Sequence, residues 1–313
     1  MGRRKNGKPI HGWVVLDKPA GITSTQAVAQ VRRIFGAQKA GHAGTLDPLA
    51  TGILAIALGE ATKTVPFVQD AAKIYRFTVR WGEARDSDDA EGRVTATSAA
   101  RPARAEIEAL LPRFVGSLSQ VPPAYSAIKV DGARAYDLAR EGQEVCLEPR
   151  LVEVYEARLV QAQPDAAVFE ILCGKGTYVR SWVRDLARAL GTLGHVSELR
   201  RTRLGPFQEK DAVGLETLTP FMHSPGAFAY LKPLSTALDG IPALAVTGGD
   251  TVRLRSGNSI LIRANMFARM EEGFAGPGGL QGRTVFLKDQ AEAPVALAEI
   301  ADGELRPFRV FQL

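Results

Sequence analysis

Gly41-His42-Ala43-Gly44-Thr45-Leu46-Asp47-Pro48-Leu49-Ala50-Thr51-Gly52 is the stretch on which the reading of the whole chain turns. It holds one carboxylate, Asp47, and its only other ionisable side chain is His42. Pro48 restricts the backbone of Asp47, and three glycines without Cβ let another backbone or a bulky ligand come close. Two readings fit these residues alone: a held acid approached by a large ligand, or an Asp-Pro bend before the apolar run at 53–58.

Upstream, residues 12–16 form a short apolar run that ends in Asp17-Lys18-Pro19-Ala20-Gly21, a strand and a turn. Ser24 can cap a helix whose apolar face is Ala27, Val28, Val31, Ile34 and Phe35, closed by Gly36. Downstream, residues 74–81 alternate, with Tyr75, Phe77, Val79 and Trp81 on one face and Arg76, Thr78 and Arg80 on the other, as a half-buried strand does. Tyr75 stands at its start, where a ring either joins the core or stacks on an extruded base. The acidic segment 85–91 reads as a solvated loop without a site.

Further on, Val121-Pro122-Pro123-Ala124-Tyr125-Ser126-Ala127-Ile128-Lys129 is a stiff extended segment, and a short helix over 134–141 follows it. Runs at 151–160 and 166–173 read as strands around Pro164-Asp165, and 177–190 as a helix with Val179, Trp182, Val183, Leu186 and Leu190 on its apolar face. Arg180, Arg184 and Arg188 share one stripe of that helix, which as a rule is a solvated face. Residues 195–203 make a strand with Arg200, Arg201 and Arg203 near its end, a strip suited to phosphate contacts.

Proline-rich turns over 205–240 suggest a helical connector. The remainder, 241–313, alternates short β-rich runs (251–254, 259–262, 284–287, 295–300, 306–311) with glycine turns and reads as a small all-β barrel, with 272–282 a glycine-rich insertion.

Composition narrows the classes. The chain has 313 residues, a net charge of +5, and 28 arginines against 11 lysines, a mild bias toward the side chain that forks onto phosphate. Its two cysteines, Cys146 and Cys173, form no metal-binding or disulfide pattern, and its four histidines are scattered. The basic N-terminus has no apolar stretch of signal-peptide type behind it and no window reaches the length of a membrane span, so a cytoplasmic protein with no membrane association is expected. Gly174-Lys175-Gly176 lacks the spacing of a nucleotide-phosphate loop.

Four stretches in order resemble bacterial tRNA pseudouridine synthases of the TruB type, over residues 10–204. GHAGTLDPLATG is a near-literal match to the motif whose aspartate falls at Asp47, with Ala43 where the family often carries Thr. Asp17-Lys18-Pro19 before Gly21-Ile22-Thr23-Ser24 resembles the first motif, Tyr75 falls at the stacking tyrosine, and Lys175-Gly176-Thr177-Tyr178-Val179-Arg180 resembles the motif whose arginine pairs with the catalytic aspartate. Leu199 falls where the family lines its uracil pocket. A looser similarity, carried by Leu254-Arg255-Ser256-Gly257, links the tail to the PUA RNA-binding module.

The resemblance implies an α+β fold: a pseudouridine synthase catalytic domain with a mixed, mainly antiparallel sheet and flanking helices, plus a small C-terminal PUA-like β-barrel. The divisions expected are a basic tail 1–9, a catalytic domain 10–204 with an RNA-gripping loop at about 125–149, a connector 205–240 and an RNA-binding domain 241–313. It implies isomerisation of uridine 55 in the T-arm of tRNA, with Asp47, Tyr75 and Arg180 catalytic, and His42, Lys18, Lys129, Tyr178 and Leu199 binding substrate. Arg200, Arg201 and Arg203 would contact the RNA backbone. No cofactor, no metal and no obligatory protein partner are expected, and a monomer is. Asp47 could serve as nucleophile on the sugar or as base toward its 2′ position. The contrasting class is a non-catalytic RNA-binding or tRNA-folding protein on the same fold, whose mark would be a missing acid, tyrosine or arginine; all three are present.

Overall fold

The computed structural model describes residues 7–126, 128–130, 133–140, 143, 145–274 and 280–313. In chain order the first elements are β1 (Gly12–Lys18), α1 (Ser24–Phe35), β2 (Ala40–Ala43), β3 (Thr51–Leu58), α2 (Val65–Asp70), β4 (Lys73–Trp81), β5 (Glu83–Arg85), β6 (Val94–Thr97) and α3 (Arg104–Leu110). There follow β7 (Gly116–Gln120), β8 (Lys129–Val130), β9 (Ala133–Arg134), α4 (Ala135–Arg140), β10 (Arg150–Ala162), β11 (Ala166–Cys173), α5 (Val179–Ala189), β12 (Gly194–Leu204), β13 (Phe207–Gln208) and α6 (Leu215–Leu218). The last segment holds β14 (Ala243–Ala245), α7 (Gly248–Arg255), β15 (Ile260–Leu261), α8 (Ala264–Gly273), β16 (Thr284–Lys288), β17 (Pro294–Ala301) and β18 (Glu304–Val310).

The main sheet has nine strands in the path β1-β3-β12-β4-β11-β10-β7, with β2 on β3 and β13 on β12. Its pairs are antiparallel except β3 with β12, which run parallel with Arg200 opposite Thr51 and Arg201 opposite Gly52. This is the mixed, mainly antiparallel sheet expected. The parallel pair sets the start of β3, where the Gly41–Gly52 stretch ends, beside the arginines of β12.

β1 and β3 read as unbroken apolar runs because both of their faces are covered. Val14, Leu16, Leu54 and Ile56 join a core with α1 and α5, whereas Trp13, Val15, Ile53, Ala55 and Ala57 point to the opposite face. There they meet Phe207 and three residues of the C-terminal segment, Phe286, Leu297 and Phe311.

Helix α1 begins one residue away from the expected cap. Thr23 accepts from the Gln26 amide, and the Gln26 side chain accepts from the Thr23 amide, a capping box worth about 1 kcal/mol. Ser24 is thereby freed, and its buried hydroxyl accepts from the Leu46 amide (2.9 Å) and donates to the Leu46 carbonyl (3.0 Å). It pins the approach to Asp47.

Helix α5 is held by Trp182, whose ring lies 5.6 Å from Phe77, 5.6 Å from Phe169 and 5.7 Å from Phe114. Deleting so large a buried ring costs about 3–5 kcal/mol. The anchor fixes the rotation of the helix, and with it the direction of Arg180.

The C-terminal sheet has the order β14-β16-β17-β18-β15 and is flanked by α7 and α8. Residues 251–254, expected as a strand, lie inside α7. The reason is a Thr-x-x-Asp capping box: Thr247 accepts from the Asp250 amide, and Asp250 accepts from the Thr247 amide. Helix α8 was not expected either, and its described part borders the glycine-rich stretch at 275–279, which lies outside the described residues.

Candidate active site

A cleft of about 1100 Å³ opens beside the ends of β2, β3, β4 and β12. Asp47 lines it, together with His42, Tyr75, Tyr178, Arg180, Leu199 and Arg201. Asp47 is 30% exposed and Arg180 3%, and the arginine Nε is 2.9 Å from Oδ2 of Asp47. The ion pair expected from the sequence is therefore present. The Nε–H is not aimed along that line and makes no formed hydrogen bond, so the contact is one of charge.

The rest of the Arg180 guanidinium is satisfied by the walls of the cleft. Nη1 donates to the Ser87 carbonyl and Nη2 to the Tyr125 carbonyl, both at 2.8 Å, and Oδ2 of Asp89 lies 3.5 Å from Nη1. A buried guanidinium requires such partners, and the two carboxylates beside it balance its charge. Asp89 itself accepts from the Ser87 hydroxyl and the Glu91 amide, while burial, opposed by these bonds and by Arg180, pushes its carboxyl above the ordinary range.

This corrects the reading of 85–91 as a siteless solvated loop: Asp86, Ser87, Asp89 and Glu91 all line the cleft. Asp89 and Arg180 stand far apart in sequence, and no local pattern joins them.

Lys18 is corrected too. Its side chain is fully buried, and Nζ donates to the carbonyls of Pro19 (2.8 Å), Ile22 (2.8 Å) and Pro48 (3.2 Å). It braces the turn that carries Asp47 and does not line the cleft. Burial pulls its ammonium down to about 8, Asp47 and Glu91 opposing.

Arg201 departs from the phosphate strip. It is 1% exposed, Nε donates to the Ile53 carbonyl (2.7 Å) and Nη2 to the Gly44 carbonyl (3.0 Å), so it clasps both ends of the Asp47 stretch. Gly52, at φ +93°, is needed here: a Cβ would lie 2.3 Å from the Arg201 carbonyl. Alternation carries the signal that the sequence reading passed over, since Leu199 and Arg201 are two apart and Leu199 points inward. Arg200 faces out but is bound to both carboxylate oxygens of Asp17 (2.9 Å each) and to Glu209, and Arg203 is exposed.

Tyr75 is 8% exposed and lines the cleft, and its hydroxyl accepts from Arg201 Nη1 at 3.4 Å. Burial raises its phenol. Tyr178 precedes α5, and the Gln120 side chain spans its amide and carbonyl. His42 sits on β2 with Nδ1 buried and unbonded among the described residues, and burial together with Arg201 lowers its imidazole. Lys129 belongs to β8, but its side chain lies outside the described residues, as do 127, 131–132, 141–142 and 144 of the expected RNA-gripping loop. Among the described residues no group of three or more His, Cys, Asp or Glu is arranged to hold a metal, and no helix is long and apolar enough to cross a membrane.

A carboxylate–guanidinium pair thus lies in a large cleft beside Tyr75, on one mixed sheet. A chain of an H/ACA ribonucleoprotein bound to a substrate RNA containing 2′-deoxyuridine superposes with a TM-score of 0.73 at 22% identity, over 100% of this chain and 92% of that one. A chain of a Cbf5-Nop10-Gar1 complex gives 0.72 at 25% identity, over 96% and 85%. The family model "TruB family pseudouridylate synthase (N terminal domain)" matches residues 32–179, and "tRNA pseudouridylate synthase B C-terminal domain" matches 180–239. The chain belongs to the TruB family of pseudouridylate synthases. Relatives called tRNA pseudouridine synthase B are 55% identical in Bradyrhizobium diazoefficiens, over 99% of this chain and 88% of the relative, and 53% identical in Caulobacter vibrioides, over 100% of each.

Proposed function

We propose that the cleft isomerises uridine 55 in the T-arm of tRNA by taking the base out of its stack and turning it over beside Asp47. Membership of the family makes the chain an enzyme that converts uridine in tRNA to pseudouridine. The position in tRNA and the residue roles are the proposal. One observation carries it: a buried arginine holds a carboxylate at the wall of a cleft large enough for an extruded nucleotide.

The chemistry follows from the side chains. The glycosidic carbon–nitrogen bond breaks, the uracil rotates and a carbon–carbon bond replaces it, with no net change in atoms. Asp47, held beside Arg180, attacks the sugar carbon or takes a proton from the 2′ position. Tyr75 is the ring on which the extruded base stacks, and Leu199 walls its pocket. His42 lines the cleft as a substrate-binding residue, and Tyr178 bounds the side toward α5. Arg203 is the exposed arginine suited to RNA phosphates, and Arg200 reaches them only by exchanging its carboxylate partners Asp17 and Glu209. Lys129 of the gripping loop stays among the substrate-binding residues, and 241–313, read as a PUA-like unit after the connector 205–240, adds an auxiliary RNA surface. The enzyme works as a cytoplasmic monomer without an obligatory protein partner.

The test is incubation of purified protein with unmodified tRNA, without metal or nucleotide, followed by mapping of pseudouridine. Asp47→Asn is expected to bind tRNA normally and form none. Normal turnover by that variant would remove Asp47 from the reaction.

A further inference from the structure

Arg184 follows Arg180 by one helical turn, and the sequence stripe marks it as solvated. It is only 16% exposed. Nη1 donates to Oδ2 of Asp88 at 2.9 Å, Nη2 to the Val121 carbonyl at 2.8 Å and Nε to Asp185 at 3.0 Å. Asp88 is itself constrained, at φ +61°, a region sparse for residues with a Cβ, and its carbonyl accepts from the Val196 amide at 3.0 Å.

Arg180 and Arg184 of α5 thus grip the same two walls at neighbouring points. Arg180 holds the carbonyls of Ser87 and Tyr125, and Arg184 holds Asp88 and the Val121 carbonyl. Each pair spans the β5–β6 loop and the segment leading into β8. The difference is that Arg180 also touches Asp47, whereas Arg184 touches nothing that reacts.

We propose that Arg184, through its ion pair with Asp88, is a positioning residue for the isomerisation: it locks both cleft walls to α5 so that the Ser87 and Tyr125 carbonyls hold the Arg180 guanidinium against Asp47. The inference rests on the reading of Asp47 and Arg180 as the reacting pair. Without the outer clasp the inner carbonyls shift, and a misplacement on the ångström scale at a reacting centre costs up to about 100-fold in rate.

The experiment measures single-turnover pseudouridine formation at saturating tRNA, alongside tRNA Kd and Tm, for the full chain and for Arg184→Gln, Asp88→Asn, the double variant and Arg184→Lys. Asn tolerates the left-handed backbone at position 88. Each single variant is expected to lose about 10- to 100-fold in rate with Kd unchanged, and the double to be no slower than the worse single, because both remove one contact. Arg184→Lys, which keeps the charge toward Asp88 but not the fork, should recover part of the rate. A lowered Tm with normal rate, a loss confined to Kd, no recovery in the lysine variant, or single losses that multiply in the double would each overturn the proposal. Asp47→Asn run in parallel separates the two failures: if it turns over normally, the reading of the reacting pair is at fault.

Discussion

The Nζ of Lys18 donates to the carbonyl of Pro48 at 3.2 Å, and so ties the end of β1 to the residue that follows Asp47. The same ammonium closes the turn between β1 and α1 through Pro19 and Ile22. Lys18→Met would leave three carbonyls without that donor, at about 1–3 kcal/mol for each one that stays buried and unpaired. Urea unfolding should show the loss, and activity should fall with it although Lys18 does not line the cleft. With its ammonium lowered to about 8, Lys18 gives up its proton as pH rises through that value, and the wild-type rate should decline there. Lys18→Arg remains charged, so its alkaline limb should vanish; a limb unchanged in that variant would assign the decline to another group.

Tyr75 lines the cleft, and its hydroxyl accepts from Arg201. The two contributions separate in Tyr75→Phe and Tyr75→Leu. The long 3.4 Å contact is weak, so the phenylalanine variant should keep tRNA affinity and most of the protein's stability, whereas the leucine variant loses the aromatic surface for the base. Single-turnover rates should fall steeply in the leucine variant. Equal rates for wild type and Leu would return Tyr75 to the core.

Two histidines couple stability to acid. Burial lowers the imidazole of His42, helped by Arg201, and burial lowers that of His195. In each the unfolded chain binds a proton at a higher pH than the folded chain does. Stability is therefore complete above the ordinary imidazole range and declines as pH falls through and below it. Thermal melts between neutral and mildly acidic pH should show a falling Tm, with a shallower slope in His42→Gln and in His195→Gln. Slopes identical to wild type in both variants would place the acid sensitivity elsewhere.

Where a pattern is local, the sequence carries it. The 74–81 alternation, the period of α5 and the glycine-ended α1 are each set by neighbours within a few residues. The Asp47 stretch, through its proline and glycines, was legible as either a held acid or a bend, and the family resemblance chose the acid. Asp89 was not, because its meaning comes from Arg180, which a turn and the sheet bring to it. Lys18 and Arg201 look like surface cations until β1 and β12 pair on either side of β3 and bury them against backbone carbonyls. The helix at 248–255 had a signal in Thr247 and Asp250 that its β-branched residues obscured.

The C-terminal segment is less separable than its sequence suggests. Phe286, Leu297 and Phe311 cover Trp13, Val15 and Ile53 of the main sheet, Lys63 donates to the Val310 carbonyl at 2.7 Å, and the Gln312 amide donates to Glu60 at 2.9 Å. Deleting 242–313 would bare this apolar face, so the truncated chain should aggregate or bind a hydrophobic dye. RNA contact by this segment is better probed in the intact chain. Arg255 is exposed at the end of α7, and if it meets a phosphate, Arg255→Gln should reduce the salt slope of tRNA affinity by about 1. An unchanged slope would exclude Arg255 from the RNA surface.

Arg180 touches Asp47 without a formed hydrogen bond, its Nε–H turned off the 2.9 Å line to Oδ2. Contacts of this kind in a free enzyme tighten when substrate fills the site. A lysine at 180 keeps a positive charge near Asp47 and Asp89 but cannot also bond the Ser87 and Tyr125 carbonyls as the planar fork does. Alanine leaves two carboxylates facing each other with no cation between them, and both carbonyls unpaired. The order of single-turnover rates should therefore be wild type above Arg180→Lys above Arg180→Ala, with alanine losing nearly all activity. Affinity for tRNA should change far less than rate, since Arg180 lies beneath the surface that meets the RNA. Asp89→Asn in the Arg180→Ala background relieves the uncompensated repulsion, so it should regain stability in urea without regaining rate. Wild-type turnover by Arg180→Ala would remove the pair from the mechanism; a gain in rate from the Asp89 change would make charge balance alone, and not the directed grip on Asp47, the function of this arginine.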